Sequence, residues 1–128
     1  SVIAVAEVPN EETHRYGIVG VDKDNKITSM VEKPKIAPSN LAIIGRYILD
    51  GRIFSYLENA EKGAGGEIQL TDAMAKMAND YDYYAMNFVG ERFDCGSKAG
   101  YLEANVALAL SRDDLKADMK RILKKYDR

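Results

Sequence analysis

The chain has 128 residues, of which 18 are basic, 20 are acidic and 46% are hydrophobic, and its formal net charge is −2. This length suits about one domain with a core, and no apolar run is long enough to cross a bilayer. The near-neutral charge makes nucleic acid a poor partner, and the start of the chain lacks the features of a signal peptide, so a cytoplasmic protein is expected.

The first half of the chain predicts strands separated by turns. An apolar run at residues 2–8 is typical of a buried strand, and a polar loop follows it. Residues 17–22 and 26–33 flank Lys23-Asp24-Asn25, a good turn sequence, and therefore predict a β-hairpin. A third apolar run at 41–49 predicts another strand.

The second half predicts mainly helices. In chain order we expect a short helix over 51–59, a helix from Glu67 to about Asn79, a strand over 83–89, and helices over roughly 98–110 and 112–126. Asp50 can cap the first of these helices, and the last one carries an apolar stripe opposite Lys and Asp. A β–helix–β alternation occurs at most once, between residues 41 and 89. The sequence therefore predicts an α/β protein from which part of the fold is missing.

A Glu-Lys-Pro tripeptide stands at the predicted end of the hairpin's second strand. Pro34 disfavours the α region for the residue before it, which predicts an extended Lys33. A sugar phosphate could use both charges, because its hydroxyls suit the carboxylate of Glu32 and its phosphate suits the ammonium of Lys33. The alternative is a solvated strand end with charges of opposite sign.

A second candidate site lies in the stretch GERFDCGSKAGYLEA. Asp94 is expected at a strand-to-helix turn, where α/β folds bind ligands, with Ser97 starting the helix. Mg²⁺ usually binds through one or two carboxylates plus substrate phosphates, so Asp94 is a candidate ligand; the alternative is a turn-forming aspartate. Cys95, the single cysteine, is predicted to be a small buried hydrophobic residue, and with one histidine it cannot form the usual zinc sites.

Six motifs together resemble the bacterial UTP:glucose-1-phosphate uridylyltransferases, and the resemblance covers essentially the whole chain. Glu-Lys-Pro occurs across sugar-phosphate nucleotidyltransferases, whereas GAGGEIQLTDA combined with RFDCGSKAGYLEA is more specific to this family. In chain order the motifs are Tyr16-Gly17, Val31-Glu32-Lys33-Pro34, Ala37-Pro38-Ser39-Asn40-Leu41, Gly45-Arg46-Tyr47, Gly63-Ala64-Gly65-Gly66-Glu67-Ile68-Gln69-Leu70-Thr71-Asp72 and Asp94-Cys95-Gly96-Ser97-Lys98.

The resemblance implies an α/β fold that is the C-terminal part of a Rossmann-like, GT-A-like nucleotidyltransferase, with a mixed sheet and C-terminal helices. It implies that glucose-1-phosphate attacks the α-phosphorus of UTP to give UDP-glucose and pyrophosphate, with Mg²⁺ as cofactor. Residues 1–96 would form the sugar-phosphate side of the domain. Residues 97–128 would form C-terminal helices that mediate homo-oligomerisation.

Residue by residue, the resemblance implies substrate contacts from Tyr16, Gly17, Glu32, Lys33, Ile44 and Gly45. Lys33 would also be the catalytic cation on the sugar phosphate. Asp94 would support Mg²⁺, either directly or through water.

The family's glycine-rich nucleotide loop has no counterpart in these 128 residues. We therefore expect the chain to correspond to the C-terminal half of the enzyme, without UTP binding and inactive alone. One alternative is a thymidylyl- or other sugar-phosphate nucleotidyltransferase. The other is a non-catalytic sugar-phosphate-binding or assembly module, in which residues 98–126 drive oligomerisation.

Overall fold

A computed structural model describes residues 1–127 of the chain. The strands are β1 (Val2–Glu7), β2 (Gly17–Val21), β3 (Ile27–Glu32), β4 (Leu41–Ile48) and β5 (Tyr84–Asn87). The helices are α1 (Ile53–Glu58), α2 (Leu70–Met77), α3 (Lys98–Ser111) and α4 (Asp113–Tyr126), and short 3-10 turns occupy Asn10–Arg15 and Ala64–Gly66. The predicted order of strands and helices is confirmed.

The five strands form one mixed sheet in the order β3-β2-β4-β1-β5. Strand β1 pairs antiparallel with β4 and parallel with β5, and β2 pairs antiparallel with both β3 and β4. Strands β4 and β5 therefore run in opposite directions, so the expected β–helix–β alternation between residues 41 and 89 is not a parallel unit. The two short helices α1 and α2 connect β4 to β5. Strand β5 begins at the same end of the sheet at which β4 ends.

The predicted hairpin forms because its turn satisfies its own backbone. The Asp22 carboxylate accepts the N–H groups of Asp24 and Lys26, each at 2.9 Å, and Asn25 adopts a φ of 60°, which asparagine tolerates. The hairpin places Gly17 directly opposite Glu32 at its open end. Two predicted substrate-binding residues that are fifteen positions apart thus become neighbours.

The core of the sheet lies under α2. Ile3, Val5 and Ile43 from the sheet pack in one buried cluster with Met74 and Met77, which are 0% exposed. Each such side chain contributes about 1.5–3 kcal/mol when buried fully. Helix α2 is therefore held firmly by the residues that follow its first turn.

The expectation of a helix from Glu67 is wrong by three residues. Gly65 and Gly66 have φ values of 74° and 76°, and Gln69 is extended, so α2 begins at Leu70. Left-handed glycines interrupt a helix because they break its φ/ψ repeat. As a result, Gln69 and Thr71 stand at the start of the helix.

The chain divides into two compact units, one spanning Ser1–Phe88 and the other running from Val89 onward. The expected division after residue 96 stays a prediction, and the compact units divide eight residues earlier. In the second unit, α3 begins as expected at Ser97, whose hydroxyl accepts the Gly100 N–H at 3.0 Å. None of the helices formed by residues 1–127 has the length and apolar character that crossing a bilayer requires.

Candidate functional site

A cleft of about 290 Å³ opens in the first unit where β2, β3, β4 and the start of α2 meet. Its lining consists of Arg15, Tyr16, Gly17, Glu32, Ile43, Gly45, Tyr47, Gln69, Leu70 and Thr71. This volume lies near the small end of the range for ligand sites, which suits one sugar ring better than a whole nucleotide sugar.

Four of the predicted substrate-binding residues line this cleft, namely Tyr16, Gly17, Glu32 and Gly45. The fold brings them together from three strands and the turn before β2. The other two, Lys33 and Ile44, follow or precede lining residues in the chain without lining the cleft themselves. The roles of all six residues stay predictions.

The backbone of Gly17 lies close to the carboxylate of Glu32. A Cβ placed on Gly17 would lie 2.9 Å from Glu32 Oε2, 3.0 Å from Thr71 Oγ1 and 3.2 Å from Ile43 Cδ1. Since the first of these distances is one that Cβ atoms essentially never show, a larger residue would displace the carboxylate. Glycine is required here by close approach rather than by an unusual φ.

Glu32 is held by a residue that sequence reasoning missed. The Thr71 hydroxyl donates a hydrogen bond to Glu32 Oε2 at 2.6 Å, and Thr71 is only 7% exposed. The second oxygen, Oε1, has no hydrogen-bond partner within residues 1–127. The two residues are 39 positions apart, so only the motif LTDA in the sequence marked the segment, and nothing marked the contact.

Lys33 does not have the predicted conformation. Its φ is 46°, in the left-handed region, so the expectation that Pro34 would keep it extended is wrong. The Lys33 N–H continues the hairpin by donating to the Tyr16 carbonyl at 2.9 Å, while Pro34 is buried. These two anchors impose a backbone that costs about 1–3 kcal/mol for a residue other than glycine.

The Lys33 side chain is not among those that line the cleft with Glu32. It is exposed, and its ammonium forms no ion pair with any side chain in the part of the chain that the structure describes. The two neighbouring charges therefore act at different places. Glu32 faces the cleft, and Lys33 is available to an anion beside it.

Gly45 reaches the cleft through a bulge in β4. Ile3 pairs with Tyr47 and Val5 pairs with Ile43, so three residues of β4 stand opposite Ala4 alone. Gly45, in the middle of the bulge, has a φ of 75°. Bulges re-aim side chains next to ligand sites, and this one accounts for the predicted pocket-wall position.

Tyr47 lines the cleft two residues after Gly45, and sequence reasoning did not select it. Burial, and to a smaller degree the negative charge of Glu32, raise the pKa of the Tyr47 phenol. The hydroxyl therefore stays protonated at neutral pH and can donate a hydrogen bond. No spacing in the sequence marked it, because the bulge interrupts the alternation of side chains along β4.

Asp94 lies in the second unit, in the loop that leads into α3. Its Oδ1 accepts the Gly96 N–H at 3.0 Å, and its carbonyl accepts the N–H and hydroxyl of Ser97, each at 3.2 Å. The predicted strand-to-helix turn before Ser97 is a loop with α3 at its end.

Cys95, which follows Asp94 in this loop, is exposed, so the prediction of a buried cysteine is wrong.

The predicted Mg²⁺ site was compared with the residues present. No group of three or more His, Cys, Asp or Glu side chains among residues 1–127 is close enough to hold a metal ion. The described residues therefore do not form a metal site by themselves. Asp94 fits only the arrangement in which one carboxylate joins phosphate oxygens of a substrate.

The description of the family that matches the chain is "Nucleotidyl transferase", and the match spans residues 1–111. The chain belongs to the nucleotidyl transferase family.

Curated relatives carry the name of the enzyme family that the sequence motifs resemble. The UTP--glucose-1-phosphate uridylyltransferase of Pseudomonas aeruginosa is 54% identical over 110 residues, or 81% of this chain and 39% of that protein. The protein of the same name from Staphylococcus epidermidis is 44% identical over 133 aligned positions, or 99% of this chain and 46% of that protein.

Solved structures that resemble this chain include UDP-glucose pyrophosphorylases. A UDP-glucose pyrophosphorylase complexed with UDP-glucose superposes with a TM-score of 0.80 at 42% identity, covering 87% of this chain and 44% of that one. A UTP-bound UGPase from Acinetobacter baumannii superposes with a TM-score of 0.82 at 36% identity, covering 98% and 45%. The chain thus spans less than half the length of the relatives that it matches.

Proposed function

We propose that this chain supplies the sugar-phosphate side of a UTP:glucose-1-phosphate uridylyltransferase. In that reaction a phosphate oxygen of glucose-1-phosphate attacks the α-phosphorus of UTP, and the bond from that phosphorus to the leaving pyrophosphate breaks. The products are UDP-glucose and pyrophosphate. The observation that carries the proposal is the cleft in which Gly17, Glu32 and Thr71 converge, in a chain of this family.

The cleft suits the hydroxyl end of the sugar. Glu32 presents a carboxylate whose Oε1 has no partner among the described residues, and a carboxylate accepts hydrogen bonds from hydroxyl groups. Tyr47 adds a phenol that can donate, and the backbone of Gly45 lies open, since a Cβ there would meet nothing within 4 Å. These groups can orient a hexose before reaction.

Lys33 suits the phosphate end of the same molecule. Lys33 directly follows the cleft-lining Glu32 in the chain, and its ammonium, which has no ion pair among residues 1–127, can neutralise the phosphate that attacks UTP. Transfer of this kind needs positioning and charge stabilisation more than it needs a protein nucleophile. The exposure of Lys33 and the lack of an ion pair with any described side chain support this role.

We further propose that the UTP contacts come from residues outside the printed sequence and that residues 1–128 alone are inactive. Both proposals rest on the coverage of less than half of each relative. Mg²⁺ is proposed as the cofactor, with Asp94 as its one carboxylate from this chain. When bound, it would neutralise phosphate charge.

The last helix supports a proposal of homo-oligomerisation. On α4, Leu115, Ile122, Leu123 and Tyr126 are 40–69% exposed and follow one stripe. An apolar stripe of this kind favours contact with another apolar surface. If light scattering finds an unchanged mass after Leu115, Ile122 and Leu123 are made polar, the assembly role is lost. The same stripe is the observation that favours the non-catalytic assembly module as second candidate.

The test of the proposed function is the product formed by the full-length protein. Glucose-1-phosphate and Mg²⁺ are supplied with UTP in one reaction and with dTTP in another, and the nucleotide sugar is identified by mass. We expect UDP-glucose with UTP and much slower transfer with dTTP. A preference for dTTP would assign the protein to the thymidylyltransferases, and no transfer with either nucleotide would favour the non-catalytic module.

A further inference from the structure

Thr71 and Glu32 form a short side-chain hydrogen bond inside the cleft. The hydroxyl of Thr71 lies 2.6 Å from Glu32 Oε2, and a carboxylate can only accept, so the hydroxyl donates. We propose that Thr71 is a positioning residue that fixes the Glu32 carboxylate for the sugar and affects the sugar only through Glu32. This inference rests on the proposed function.

The donor belongs to a rigid part of the fold. Thr71 is 7% exposed in the first turn of α2, and Met74 and Met77 anchor the same helix in the core at 0% exposure. The acceptor is less constrained, because Glu32 is the last residue of the edge strand β3 and a glutamate side chain has several rotamers. A fixed hydroxyl on a firm helix can select one of them.

Gly17 leaves room for this hydrogen bond. A Cβ on Gly17 would meet both Glu32 Oε2 and Thr71 Oγ1, at 2.9 and 3.0 Å, so a side chain at this position would crowd the pair. Oε2 is therefore occupied by the protein. Oε1, which has no partner in the described part of the chain, is the oxygen directed to a hydroxyl of the ligand.

The side chain of Thr71 has no other feature that suits a substrate. It is neutral, nearly buried, and its single proton is already donated to Glu32. While that bond is made, the hydroxyl can meet a sugar only as an acceptor, and on this proposal it acts through Glu32 instead. Its effect on the sugar should therefore vanish when the carboxylate of Glu32 is absent.

The test is a double-mutant cycle in the full-length protein with Thr71→Val, Glu32→Ala and the combined variant. Valine keeps the approximate shape of threonine and replaces its hydroxyl with a methyl group, which removes the donor to Glu32. We expect Thr71→Val to lower kcat/KM for glucose-1-phosphate about tenfold, mainly through KM, because hydrogen bonds to charged groups are among the stronger ones. The KM for UTP should stay within about twofold, a split that a structural defect would not give.

In the Glu32→Ala background the same change should alter kcat/KM by less than about twofold, since the two residues act as one unit. Thr71→Ser keeps the donor and should retain activity within about threefold of wild type. Melting temperatures are measured for every variant. If Thr71→Val does not fold, Thr71→Ala compared with Thr71→Ser supplies the same comparison.

Two results would overturn the inference. One is a tenfold loss on Thr71→Val that persists without Glu32, which would mean a direct or packing effect. The other is wild-type kinetics in Thr71→Val. If the wild-type protein itself shows no transfer, the proposed function fails, and calorimetric titration of the same variants with glucose-1-phosphate decides the role of Thr71 separately.

Discussion

In the cleft of the first unit, Thr71 reaches Glu32 across 39 positions of the chain, whereas in the second unit the Asp94 carboxylate accepts a bond from Gly96, two positions away. The cleft is assembled by the sheet and α2, and its polar groups fix one another. The Asp94 loop contains hydrogen bonds between near neighbours before α3. A site built from distant contacts is preorganised by the fold, so substitutions there should act sharply, and substitutions in the local loop should act mildly.

The largest effect is expected from Lys33→Ala in the full-length protein. Removal of the unpaired ammonium beside the cleft should lower transfer about 10²–10³-fold, as the loss of a preorganised charge partner does. Initial rates of pyrophosphate release measure it, and Lys35→Ala, at an exposed lysine two residues on, is the matched control. A rate within about twofold of wild type would remove Lys33 from the mechanism.

A second effect is expected from Gly17→Ala, which adds a Cβ where the Glu32 carboxylate lies. Overpacking of this kind costs about 1–3 kcal/mol of stability, and displacing the carboxylate should also raise the KM for glucose-1-phosphate. Chemical denaturation and steady-state kinetics measure the two effects. The control is Gly51→Ala, because a Cβ on the exposed Gly51 meets nothing within 4 Å. Equal behaviour of the two alanine variants would contradict the packing in the cleft.

A smaller effect separates backbone strain from charge at Lys33. Lys33→Gly should unfold with a free energy about 1 kcal/mol higher than Lys33→Ala, because glycine adopts a φ of 46° without the penalty that alanine meets. Both variants lack the ammonium, so their rates of transfer should match. Equal stability would mean that the left-handed backbone at this position carries no strain.

The mildest effect is expected in the loop of the second unit. Asp94→Asn keeps an acceptor for the Gly96 N–H and removes the charge, so it should raise the Mg²⁺ concentration at half-maximal rate about severalfold, with stability nearly unchanged. Asp24→Asn in the exposed hairpin turn is the control. Superimposable Mg²⁺ titrations of wild type and Asp94→Asn would contradict a metal role.

The elements that could be predicted from the sequence are those governed by neighbouring residues. The hairpin follows from the Asp22–Lys26 turn, and the start of α3 follows from Ser97, because in both cases a side chain bonds to backbone a few positions away. The predicted substrate-binding residues in the cleft came from a motif resemblance. Their convergence needed the register of the sheet.

The features that could not be predicted depend on contacts between different elements of the fold rather than between neighbouring residues. Lys33 was expected to be extended because of Pro34, but a hydrogen bond to Tyr16 across the hairpin decides its backbone. Thr71 and Tyr47 could not be selected, because α2 and the bulged β4 bring them to the same cleft as Glu32, and no spacing in the sequence gives that arrangement. Where a contact across the fold competes with a local preference, the contact decides.

The central claim is that this chain holds the sugar-phosphate side of a shared active site. The measurement that tests it most directly is pyrophosphate release from UTP and glucose-1-phosphate with Mg²⁺, on a preparation whose intact mass matches residues 1–128. The account predicts no release by this chain alone and release after addition of the remaining part of the full-length protein. Release by residues 1–128 alone would contradict it, because the nucleotide would then be bound by residues assigned here to structure.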